Sequence, residues 1–112
     1  MDLSKRNKKI AREVIEKGLQ IEFAKGLNEA YEMLEKWKKH HLENREAYHL
    51  LFKIVTDFDE HISDRYDYIT GSRYFITVLS LLIDGTITEE DIKDFSPDVF
   101  EALRDSKERL ER

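Results

Sequence analysis

The sequence predicts an all-α protein, on three observations: a nearly proline-free chain, apolar residues recurring at steps of three and four, and paired start signals ahead of its later apolar runs. Of its 112 residues, 38% are charged and 40% hydrophobic, with four glycines and one proline. That composition favours helices over a turn-rich β fold. A chain of this length forms one domain with a modest core. The organisation expected is a long helical hairpin or stalk over residues 1–69 and a small helical head over 70–112.

The first helix is expected from an N-cap at Ser4 to about His41. Phe23, Leu27, Ala30, Leu34 and Trp37 alternate steps of four and three, the spacing of a coiled-coil-like seam, and Ala24 and Tyr31 flank it. Ile10, Val14 and Ile21 fall on another side, displaced by roughly a third of a turn or more. Gly18 and Gly26 offer places for a bend or a change of packing partner. Lys36, Lys38, Lys39, His40 and His41 place cations at the helix C-terminus, where they complement the macrodipole. Adjacent histidines point to different sides of a helix, so no metal site is expected from them.

The central helix starts with Asn44 as its cap and carries Ala47, Leu50, Leu51, Ile54, Val55, Phe58 and Ile62 as a broad apolar stripe. Its flank adds Tyr48, Phe52 and Tyr66, with Asp59 among them. His61, one turn before Arg65 and one turn after Asp57, reads as a ladder of i, i+4 pairs. At 1.5 Å per residue a first helix of ~37 residues overhangs a central one of ~24 by roughly 20 Å. An apolar seam that outruns its intramolecular cover predicts a homodimer through Phe23, Leu27, Tyr31, Leu34 and Trp37.

Beyond the break at Thr70 and Gly71, Ser72 is the expected cap of a third helix with Tyr74, Phe75, Val78, Leu79, Leu82 and Ile83, closed by Gly85. Thr88, followed by Glu89, Glu90 and Asp91, marks another helix start, stapled by Ile87 and Ile92. Ser96 and Pro97 repeat the device, with Phe95 and Phe100 as the staple, and Val99, Leu103 and Leu110 continue the last helix. Residues 84–91 imitate the second half of a calcium-binding loop, but loop positions 1 and 3 fall on Ser80 and Leu82, which supply no carboxylate. The corner is expected to be structural.

Charge and composition narrow the function. The net charge is −5, with ten Lys/Arg against seven Asp/Glu over residues 1–41 and nine against seventeen over 42–112. The basic cluster of Lys5, Arg6, Lys8, Lys9 and Arg12 reads as a solvated helix start, and the acidic remainder repels nucleic-acid phosphates. No nucleic-acid partner is expected. There is no cysteine, hence no thiolate site, which fits a cytoplasmic protein. Neither a signal-like segment nor a membrane span is read from the chain. The carboxylates are spread around helix axes with no nucleophile and oriented base, so no enzyme activity and no cofactor are expected.

One stretch carries a family signature. His61-Ile62-Ser63-Asp64-Arg65-Tyr66-Asp67-Tyr68, then Leu81-Leu82-Ile83-Asp84-Gly85, then the acidic run from Glu89 to Asp91 and on to Asp98, resembles the cyanobacterial fluorescence recovery proteins. Their pattern is I-x-x-K-Y-D-Y or a close variant, an apolar helix ending LL-x-x-G, and a following acidic segment. The similarity covers residues 20–105, with a small insertion near Gly71. The resemblance implies an all-helical homodimer without cofactor, which binds the light-activated orange carotenoid protein and speeds its return to the resting state.

The family's contact patch carries Trp, a His-Asp pair and Arg, where this chain has His49, Phe52 with Lys53, and Asp59; a later basic contact position matches Ala102. None is kept, and two reverse charge, so a diverged protein partner is expected at Tyr48, His49, Phe52, Lys53 and Asp59. The alternative class is a small nucleic-acid-acting or toxin/antitoxin-type helical protein, supported by the basic N-terminus and the Arg45/His49 pair.

Overall fold

A computed structural model describes residues 1–111. It contains α1 (Lys5–Lys38), α2 (Asn44–Tyr66), α3 (Arg73–Ile83), a 3₁₀ turn (Glu89–Ile92) and α4 (Pro97–Leu110), with no strand among the described residues. The chain forms two compact units, Gln20–Asp67 and Met1–Leu19 with Tyr68–Arg112. The first half of α1 therefore belongs with the C-terminal helices, and not with the hairpin expected over residues 1–69.

The unit holding the C-terminal helices contains the core. Leu3, Ala11, Val14 and Ile15 are buried, as are Val78, Leu79, Leu81 and Leu82 of α3 and Val99 and Leu103 of α4. Outside this unit only Met33 and Ala47 are buried apolar residues among those described. The offset of Val14 from the seam thus has a physical cause, since it faces a different set of neighbours.

Local devices set the ends of these helices. Ser4 Oγ accepts the Asn7 amide (3.1 Å), the N-cap expected for α1. Asn7 is itself buried; its Nδ2 donates to Ser96 Oγ (2.9 Å) and its Oδ1 accepts the Ser96 amide (3.2 Å), fixing α1 against the start of α4. Of the four residues expected to staple these corners, Ile87, Ile92 and Phe95 are buried and Phe100 is half-buried. Thr88 N–H donates to Asp91 Oδ2 (2.8 Å), and Lys17 also pairs with Asp91, holding that carboxyl below the usual carboxylate range. After Thr88 the chain makes a single 3₁₀ turn and not a full helix. Asp84 Oδ1 accepts the Thr86 amide (2.9 Å) and hydroxyl (2.6 Å), so the residue that imitates a calcium ligand closes its own turn.

Two expected caps are corrected. Ser72 lies in the right-handed helical region without a capping bond, and the chain enters α3 through an Arg73 amide bond to Thr70 O (3.0 Å). Asn44 is the first residue of α2, not its cap, because its Oδ1 accepts Trp37 Nε1–H (2.7 Å) across the turn.

That turn ends α1 three residues earlier than expected. His41 N–H bonds to Lys36 O (2.9 Å) and His40 N–H to Trp37 O (3.0 Å), a Schellman motif with His40 at φ 64°. A side chain in this left-handed region is strained. His40→Gly is expected to stabilise the protein by about 0.5–1 kcal/mol, read as a higher urea midpoint with unchanged slope.

In the hairpin unit α1 packs on α2 at close range. A Cβ on Gly26 would stand 3.2 Å from Phe58 Cγ, so the missing side chain admits the ring. Close approach to Phe58 is thus the role that Gly26 has in this unit. The broad α2 stripe is only partly covered: Ala47 is buried, Leu51, Ile54, Phe58 and Ile62 are half-buried, and Leu50 and Val55 are exposed. A single neighbouring helix covers a narrower arc than this stripe spans.

Candidate interaction face

Residues at steps of three and four share a side of a helix. On α1 the exposed apolar line is Phe23, Leu27, Tyr31 and Leu34, with Leu27 72% exposed. On α2 it is Tyr48, Phe52 and Val55, with Tyr48 72% and Phe52 67% exposed. The two lines meet in shared grooves. One, of about 180 Å³, is walled by Phe23 and Leu27 from α1 and by Val55, Phe58 and Asp59 from α2. A second, of about 320 Å³, lies between Leu34 and Trp37 on one side and Ala47, Tyr48 and Leu51 on the other. The predicted dimer seam and much of the predicted partner patch therefore form one face of the hairpin.

Three of the sequence-predicted residues sit apart from this apolar face or are already engaged. Lys53 is about 100° round the helix from Phe52. Its ammonium holds Asp57 Oδ2 (2.8 Å), a pairing that, with Glu29 of α1 contributing, raises its pKa. His49 meets the Tyr48 ring edge-on, with ring centroids 6.3 Å apart. Trp37 is half-buried, bonded to Asn44 and covered by the Lys38 ammonium at 5.6 Å. Asp59 stays with the face as a carboxylate on the rim of the first groove.

Beside that groove lies a polar cluster that the periodic reading passes over. Glu22 of α1 is buried, its side chain 6% exposed, and its Oε1 accepts from Arg65 Nη1 and contacts His61 Nε2, both at 2.7 Å. His61 and Arg65 thus converge on Glu22, while Asp57 turns to Lys53, which replaces the expected ladder. Among the described residues, Glu22 Oε2 and the Tyr66 hydroxyl are enclosed without a hydrogen-bond partner. Among many surface carboxylates, the one usable signal for Glu22 is its step of four before Gly26, on the side that meets α2.

Burial foremost, and then the Glu22 carboxylate, push the Tyr66 hydroxyl far above the tyrosine value of 10.0. A raised folded-state pKa means that stability is level below about 10 and falls as pH rises beyond it. Tyr66→Phe is expected to lessen that alkaline loss, measured as the urea midpoint between pH 9 and 11.

One of the basic N-terminal residues has a structural use as well. Arg12 lies 5.4 Å over the Tyr74 ring and its Nε donates to the Tyr74 hydroxyl (3.3 Å). No group of three or more His, Cys, Asp or Glu among the described residues is placed to hold a metal ion. Among the same residues, no helix is long and apolar enough to cross a membrane. Neither family models, nor curated proteins, nor solved structures give a match to this chain.

Proposed function

We propose that this chain is a non-enzymatic regulatory protein that works through protein–protein contact, as a cytoplasmic homodimer joined by the hairpin face. The observation that carries the reading is the apolar face of Phe23, Leu27, Tyr31, Leu34, Tyr48 and Phe52, exposed on a unit whose two helices cover only part of each other. Contiguous apolar surface with a charged rim is the usual makeup of an association site. The resemblance to the fluorescence recovery proteins supplies the same architecture and a candidate partner class, a light-activated carotenoid-binding protein.

Association is tested by light scattering at tens of micromolar. The wild type is expected to be a dimer, and Leu27→Glu a monomer with its helical circular dichroism retained, because a charge in an apolar interface is left without a partner. A monomeric wild type would remove the homodimer. The partner is tested by following the recovery of light-activated orange carotenoid protein with and without this chain. Acceleration that is lost in Phe52→Ala supports that partner, and no acceleration directs the search to a different protein whose charges complement Lys53 and Asp59.

A further inference from the structure

We infer that the two copies meet antiparallel, the tip of each hairpin lying over the opposite end of the other, with the twofold axis crossing α1 between Ala30 and Tyr31. This rests on the homodimer reading and adds its direction and register.

The spacing of the exposed line sets the register. Phe23 and Leu27 on one side, and Leu34 and Lys38 on the other, are each four residues apart and stand symmetrically about the 30–31 step. A twofold interface requires that if residue i meets j, j meets i. About this centre Leu27 meets the partner's Leu34, and Phe23 meets the partner's Lys38. Ala30, half-buried on the α2 side of this line, is the small side chain beside the crossing, where two backbones come closest.

Charge sets the direction. Over residues 35–46 the hairpin tip carries Lys36, Lys38, Lys39 and Arg45 against Glu35, Glu43 and Glu46, a net +1, while residues 57–66 at the other end of α2 carry Asp57, Asp59, Glu60 and Asp64 against Arg65, a net −3. A parallel pairing stacks tip on tip and acid on acid; the antiparallel one sets each basic tip against an acidic end. The groove fits the same pairing. Its apolar wall of Phe23, Leu27 and Val55 suits a leucine and the aliphatic stem of a lysine, and Asp59 on its rim suits the ammonium of the partner's Lys38. Lys38 is already held beside the face, over its own Trp37 ring.

The absence of cysteine makes single-cysteine cross-linking a clean test. Leu27→Cys and Leu34→Cys proteins are oxidised separately and, after subunit exchange, as an equal mixture, and run on a non-reducing gel. Disulfides need Cα atoms within about 7 Å. The mixture is expected to give a covalent heterodimer and neither protein alone a strong band. A strong band from Leu27→Cys alone overturns the inference, as does a mixture that stays uncoupled while scattering reports a dimer; the homodimer reading survives both. A monomer by scattering sinks the two together. If the cysteine variants lose helicity, charge exchange decides instead. Lys38→Glu and Asp59→Lys are each expected to weaken self-association several-fold, with substantial recovery in the double variant, and absence of recovery counts against the register.

Discussion

Glu22→Ala is expected to destabilise the hairpin unit by about 3 kcal/mol, read as a lower urea midpoint by circular dichroism and by the fluorescence of Trp37. Glu22 and Arg65 have side chains 6% and 15% exposed, so their attraction is little screened and neither recovers full hydration when the other is removed. Truncating one member of a buried pair typically costs about 3–5 kcal/mol, because the other charge stays buried. Arg65 has contacts besides Glu22, which puts the expected loss at the lower end. Glu22→Gln keeps the shape and one acceptor, so about 1–2 kcal/mol is expected there. The double variant Glu22→Leu with Arg65→Met removes both charges and is expected to recover most of the loss. A Glu22→Ala protein within about 0.5 kcal/mol of wild type would mean that the pair is solvated and that packing alone joins α1 to α2.

Local devices were the legible part of this fold. Ser4 caps α1, Ile87, Ile92 and Phe95 are buried at the corners where staples were expected, and Gly85 leaves α3 at φ 79°, as a helix-ending glycine does. Each depends on residues a few positions apart. Which distant faces meet was legible only in part. The offset of Val14 from the Phe23–Trp37 seam pointed to a second set of neighbours, but nothing local says that this part of α1 shares a unit with α3 and α4. Helix lengths alone mislead here: the early apolar positions of α1 are in the core, and the uncovered line is the stretch alongside α2. Leu50 and Val55 show the same limit, since periodicity reports which residues share a side and not how much of that side a neighbour covers.

The candidate face was legible as two separate sets, the α1 seam and the α2 patch. Their union depends on how the hairpin turns, which is set by Trp37 reaching Asn44 and by Phe58 against Gly26. Glu22 was scarcely legible as a buried group, its step of four before Gly26 being the one sign of it. In a chain with 24 acidic residues, a buried carboxylate has the same local signature as a solvated one until its partners arrive from α2.

Leu81→Ala is expected to cost about 2–5 kcal/mol, the range for a leucine deleted from a packed core. Leu81 is fully buried within α3, in the same unit as Val78, Ile92 and Leu103, which are equally enclosed. The loss combines the transfer energy of the removed methyl groups with the cavity they leave, and neighbours this enclosed have little room to collapse. Leu27→Ala removes the same atoms from a position 72% exposed on the single chain. It is expected to change folding by under about 0.5 kcal/mol in dilute protein. At tens of micromolar it should instead shift the monomer–dimer equilibrium, by mass action on the buried interface. Urea midpoints at two protein concentrations separate the two effects: Leu81→Ala lowers both equally, while Leu27→Ala lowers mainly the concentrated one. A Leu81→Ala loss below about 1 kcal/mol would show that the α3 core is loosely packed and collapses around the deletion.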